Sequence, residues 1–309
     1  MTQFAQQLVN GAVLGALYGL IALGYTMVYG IIQLINFAHG EVFMIGAFGG
    51  LTVWRYVLPH SMPAPLALVI VLAAAIVTSV VVALLMERLA YRPLRNAPRL
   101  APLITAIGVS LFLQELIRLR YFGGGAKSDQ PFPQFISSKP VHLPGGVQIP
   151  RVSIFIIVTA IILMLALSAF VRGSRTGKAM QATAQDRDTA QLMGIDTDRI
   201  IVVAFVLGAA LAGVAGVLQG MQVATIGFRM GFIAGIKAFT AAVLGGIGNI
   251  AGAVLGGFVI GMVEVMATQY VPGAFGGGAW KDVWAFVVLI VILVFRPAGL
   301  LGERVESRS

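Results

Sequence analysis

The chain has 309 residues, 58% of them hydrophobic and 11% charged, with a net charge of +9 and no cysteine. Soluble proteins carry about 25% charged residues, so a soluble globular domain is excluded. The missing thiols exclude disulfides, thiolate metal sites and a cysteine nucleophile, and the excess of Lys and Arg is read as basic flanks of membrane spans at anionic lipid, not as a nucleic-acid surface.

Met1–Gln3 lack a basic n-region, and the apolar run that follows outlasts a signal-peptide core, which predicts a retained span. Residues 4–35 carry no charge. Within them Gly11, Gly15 and Gly19 recur every fourth residue and share one helix face, which is read either as a surface where a neighbour approaches closely or as the general enrichment of Gly in membrane helices. Asn36-Phe-Ala-His39-Gly40-Glu41 follows, and then apolar 42–54. An Asn, a His and a Glu so close together are costly at membrane depth and belong at a bundle interior, a water-filled cavity or an interface, with Gly40 permitting a helix break. His39 and Glu41 are read either as a structural, hydrogen-bonded break or as substrate contacts. Arg55, His60 and three prolines mark an aqueous turn.

Residues 66–86 form a third span. The loop 87–99 holds four Arg and one Glu, and the positive-inside rule places it in the cytoplasm. Residues 100–116 are a fourth span, ending at an interfacial Glu115/Arg118 pair. The Gly- and Pro-rich stretch 119–151 has no helical period and is read as a long external loop. A fifth span, 152–171, leads to the polar loop 173–199. There Asp186 is a helix cap, Asp188 adds negative charge to the first turn, and Gly194 is a stop. The roughly two turns between them place Thr189, Leu192 and Met193 on one face, a docking element for a partner protein.

In 200–228, Gly208, Ala212, Gly216 and Gly220 again recur every fourth residue, a signature of close helix packing. Lys237 sits inside an apolar run and is read as snorkelling to the interface rather than lining a pathway. The Gly-rich stretch 245–252 separates that run from 253–262 and Glu264, which predicts discontinuous helices or a re-entrant pair. Glu264 is a candidate partner for Lys237. A last span, 280–295, ends at Arg296-Pro297, and the tail carries Arg304 and Arg308. The expected fold is all-α: one polytopic membrane domain, residues 1–309, of about eight spans. Placing 87–99, 172–199 and the tail in the cytoplasm puts twelve basic residues inside and eight in the other loops.

Gly173-Ser-Arg-Thr-Gly-Lys-Ala179 resembles a phosphate loop only superficially. Its spacing is off by one residue, Ala179 stands where Ser or Thr would hold magnesium, and no strand precedes it, so the chain is not expected to hydrolyse ATP. The three His are far apart and suggest no metal site. No Gly-x-Ser-x-Gly elbow is present.

The run Tyr25-Thr-Met-Val-Tyr-Gly-Ile-Ile-Gln-Leu-Ile-Asn-Phe-Ala-His-Gly-Glu41 closely resembles the signature of branched-chain amino-acid ABC transporter permeases of the H-type. The resemblance continues through 87–95, 186–195, 245–261 and 296–302. It implies a bacterial inner-membrane importer of a periplasmic substrate-binding protein, two permeases (this one and an M-type partner) and two ATPase subunits that bind the ATP. This chain would then have no cofactor of its own, and the central loop would be the coupling helix seated in an ATPase groove. Relatives in this family serve Leu, Ile and Val, other amino acids, or urea and short amides. Two other readings use the same residues. An ion-coupled secondary transporter would need an acidic ion site, for which Glu41 and Glu264 are the candidates, and would need no docking helix. A membrane-embedded enzyme would need a second cluster opposite Asn36, His39 and Glu41.

Overall fold

A computed structural model of the chain describes residues 2–302 apart from 35, 60, 96, 99, 122–127, 138 and 143–145. His60, Arg99, Arg304 and Arg308, used above in placing turns and charges, lie outside the described residues. The fold is all-α with two very short β ladders. The long helices are α1 (Thr2–Ile32), α2 (His39–Tyr56), α3 (Ala64–Met86), α4 (Leu100–Arg120), α5 (Arg151–Gly173), α8 (Thr197–Val223), α9 (Met230–Gly245), α10 (Ile250–Tyr270) and α11 (Lys281–Phe295). Between α5 and α8 lie two short ones, α6 (Arg175–Gln185) and α7 (Arg187–Leu192). A π turn at Glu87–Tyr91 and a 3₁₀ turn at Arg92–Leu94 prolong α3.

Among the described residues, six helices are long and apolar enough to cross a membrane: α1, α3 with its extension, α4, α5, α8 and α10. α2, α9 and α11 are shorter, at 18, 16 and 15 residues, and α2 and α9 meet near their N-terminal ends, where Gly40 contacts Gly231. The six long apolar helices with the shorter ones among them make the polytopic membrane fold that was expected. α3, α4 and α5 turn most of their surface outward, as lipid-facing helices do, while α1, α2 and α8 form the buried centre. The end that carries the described residues between Tyr121 and Pro150 is the upper end. Gln6 and Gln148 bond reciprocally there at 2.9 Å. Strand β1 (Gln130–Pro131) pairs antiparallel with β4 (Thr225–Ile226), just ahead of α9, while β2 (Pro140–His142) and β3 (Gln148–Pro150) form a hairpin. The lower end carries the α3 extension, α6, α7 and the C-terminal tail. In that tail, the Leu300 and Leu301 N–H groups donate to the carbonyls of Leu244 and Gly245.

Of the two readings of 245–252, a discontinuous helix or a re-entrant pair, the structure has the pairing: a tight turn joins two continuous helices. Gly246 and Gly248 adopt φ of 102° and 93°, where only glycine sits without strain, and the Asn249 side chain caps α10 by accepting from the Gly252 N–H. α9 and α10 therefore lie antiparallel as a hairpin. The glycine face of α1 packs on α10, also antiparallel. A methyl group added at Gly15 would fall 2.7 Å from Phe258 Cα, and Gly11 and Gly19 face Met262 and Val254. Backbones this close leave no room for a side chain, and the tight contact replaces the hydrophobic drive that lipid does not provide. Gly15→Leu is expected to separate the pair and cost about 1–3 kcal/mol by overpacking. A lowered unfolding temperature in detergent would show it, with Gly108→Leu as control, since no neighbouring atom lies within 4 Å of a Cβ at Gly108.

Candidate functional site

Three groups of residues are candidates. The first is the break between α1 and α2. α1 ends at Ile32, Gln33 turns the chain at φ 55°, and α2 begins at His39. The break thus precedes Gly40 instead of falling on it. The segment lies inside the protein: Asn36 is 3%, His39 2% and Glu41 0% exposed. Each polar side chain faces a different helix. Tyr91, in the α3 extension, donates to Asn36 Oδ1 at 2.8 Å. His39 lies against Gly24 of α1, and the Tyr25 ring meets it edge-on at 4.7 Å. Glu41 Oε1 accepts from Ser110 at 2.9 Å and Gln114 at 3.0 Å, both on α4. On the remaining side, Gly40 contacts α9: a methyl group there would lie 2.9 Å from Gly235 Cα. Gly208 and Gly216 of α8 face Gly24 and Phe43, which lets α8 close behind the break, and Gly220 faces Phe132 of the upper loop.

The second group corrects the reading of Lys237. It does not snorkel. It is 4% exposed and donates to both Glu264 oxygens at 2.9 Å and to Tyr18 Oη at 3.1 Å. Tyr18 donates in turn to Glu264 at 2.8 Å. Asp282, in the first turn of α11, pairs with Lys237 at 2.6 Å, and Lys281 lies 3.6 Å from Glu264. Four helices, α1, α9, α10 and α11, are thereby pinned by one charge cluster, open to the surface only through half-exposed Lys281 and Asp282. Lys237 and the Gly231–Gly235 contact lie on opposite faces of α9, because residues 235 and 237 are about 200° apart on a helix.

The third group is α7, whose cap and stop fall where the sequence placed them. The Asp186 side chain accepts from the Asp188 and Thr189 N–H groups at 3.0 Å and from the Thr189 hydroxyl at 2.6 Å. Those bonds, the hydroxyl's first, hold its carboxyl below the usual carboxylate range. Gly194 leaves the helix at φ 81°. Leu192 and Met193 are 88% and 79% exposed, while Ala190 packs inward. The sequence reading missed α6, capped by Ser174 through the Gly177 N–H, and it missed what holds α7 in place. Asp198, at the start of α8, contacts Arg187 at 3.5 Å, Arg92 at 3.7 Å, and Arg95. Arg95 also pairs with buried Glu87. The lone acid in a loop of arginines was the available hint. Ser110 and Gln114, four apart in the largely apolar stretch of α4 before Glu115, were the hint for the Glu41 shell.

The model of a family described as the permease component of branched-chain amino acid transport systems matches residues 7–293. The chain is 46% identical over 306 residues to the high-affinity branched-chain amino acid transport system permease protein BraD of Pseudomonas aeruginosa, covering 97% of this chain and 96% of that one. It is 44% identical over 307 residues to the corresponding permease protein LivH of Escherichia coli K12, with the same two coverages. Among solved structures it is similar to PsaBC from Streptococcus pneumoniae in complex with Fab. That match has 13% identity and a TM-score of 0.48 over 94% of this chain and 90% of the other, a likeness too distant to establish a common fold.

Proposed function

This chain belongs to the family of permease components of branched-chain amino acid transport systems, and on that premise we propose that it forms, with a second permease subunit, the path by which branched-chain amino acids enter the cell. It is a multi-pass protein of the bacterial inner membrane and a transport component, not an enzyme. In this proposal a periplasmic binding protein delivers the substrate at the upper end, and two partner ATPases bind and hydrolyse ATP at the lower end. Orientation follows the positive-inside rule: the arginines of the α3 extension and of 172–199 gather at the lower end, which is cytoplasmic.

The observation that carries the importer reading is α7. Two large apolar side chains stand almost fully exposed on a well-capped helix at the end of the bundle. Such a knob serves a subunit driven by another protein, and an ion-coupled carrier has no use for it. The names of the relatives support branched-chain amino acids as the cargo. Transport then consists of switching between two packings of the same helices, each ligand favouring the packing it binds better.

The test uses the purified complex in lipid nanodiscs. Leucine-loaded binding protein is expected to raise ATP hydrolysis several-fold over the empty complex. Uptake driven by an ion gradient without ATP would instead establish a carrier.

A further inference from the structure

Three buried carboxylates lie on the helices of the bundle, and they are treated differently: Glu87 is paired with Arg95. Glu264 is paired with Lys237. Glu41 is completely buried and meets no Lys or Arg among the described ion pairs. Its Oε1 accepts two hydrogen bonds, while Oε2 has no partner among the described residues and faces Gly231 of α9, where a methyl group would fall 2.5 Å from it. A carboxylate without a cation is expensive at this depth. The bonds from Ser110 and Gln114 do not require the charge, since a Gln carbonyl oxygen at this position would accept both. The acid therefore has a use that this packing does not satisfy.

The surroundings indicate what that use is. Gly231 and Gly235 bring no side chain of their own against Glu41 and Gly40, so the N-terminal half of α9 is not interlocked with α2 here, while Lys237 on the opposite face keeps its partners. Two turns beyond Gly231, on the same face of α9, Phe239 packs with Tyr25 and Phe37 at ring separations of 5.9 and 5.7 Å. The path uncovered by α9 thus offers one free carboxylate oxygen and then an aromatic wall. An apolar amino acid presents an ammonium and a hydrocarbon side chain, the complementary pair. We propose that Glu41 receives the ammonium group of the substrate when the N-terminal half of α9 moves off it. This rests on the importer reading above.

Glu41→Gln keeps the shape and both accepted hydrogen bonds, so a purely structural role would survive it. The expected result is a permease present at wild-type levels in the membrane with leucine uptake reduced about tenfold or more, the scale of one lost charge-assisted contact. Uptake at the wild-type rate would overturn the proposal. A second measurement does not depend on the variant folding. The wild-type complex is cycled with ATP in the presence of a hydrophobic carbodiimide, and modification of Glu41 is followed by mass spectrometry. L-Leucine and L-leucine methyl ester, which both carry the ammonium, are expected to slow modification, while 4-methylpentanoate, which lacks it, is not. Modification that leucine does not slow, equal protection by 4-methylpentanoate, or no modification of Glu41 in any state would each overturn the proposal. If wild-type uptake proves independent of ATP, the importer reading fails. If it depends on ATP and Glu41→Gln transports normally, only this inference fails.

Discussion

Lys237→Met is expected to prevent the permease from accumulating. The substitution leaves Glu264, 4% exposed, with the Tyr18 hydroxyl and a Lys281 ammonium 3.6 Å away as its remaining partners. Removing one member of a buried ion pair costs about 3–5 kcal/mol, because the other charge is stranded. A domain with about 5–15 kcal/mol of stability loses a large part of it in this way. The effect falls where α1, α9, α10 and α11 meet, so it should appear as low membrane yield and a depressed unfolding temperature, not as a selective transport defect. Removing both charges is far milder, and Lys237→Met combined with Glu264→Gln should recover most of the yield. A double variant as poor as the single one would show that the cluster does not act as a pair.

Leu192→Asp should have the opposite signature: normal accumulation with no transport. Leu192 is 88% exposed and supports nothing within the chain, so the substitution leaves the bundle intact. Binding energy at interfaces concentrates in a few buried apolar anchors, each worth about 2 kcal/mol or more. A carboxylate carried into an apolar groove adds a desolvation cost. Co-purification of the ATPase subunits and leucine uptake should therefore fall together. Retention of the ATPases with unchanged uptake would remove α7 from its proposed role.

These two variants also mark how far the sequence could be read. The α7 region was legible because its determinants are local: Asp186 caps within three residues, and Gly194 stops the helix with its own backbone. The break at 33–38 was legible because polar groups in an apolar run have few other reasons to be there. What could not be read was the identity of partners. Tyr91 is 55 residues from Asn36, Gln114 is 73 from Glu41, and Tyr18 is 246 from Glu264. Periodicity gives a residue its face on a helix but says nothing about which helix will be opposite. Lys237 was misread for that reason. A long cation in an apolar run reaches for water unless an acid is nearer, and the nearest acids are on α10 and α11. At 245–252 the sequence left a discontinuous helix and a re-entrant pair open, because glycines that make a turn and glycines that break a helix look alike without a register.

Asp198 has a mechanical consequence. It links α7, through Arg187, to the α3 extension, through Arg92 and Arg95, and Tyr91 in that extension holds Asn36 at the α1–α2 break. α7 is thus joined to the break through ion pairs and one hydrogen bond, not through a continuous helix. Asp198 is about half exposed, so each of its pairs is screened and worth about 1 kcal/mol or less. Bonds of that size hold position yet exchange partners readily among three guanidinium groups. In the coupling role proposed for α7, such a joint would pass its position on to the break without locking the two rigidly.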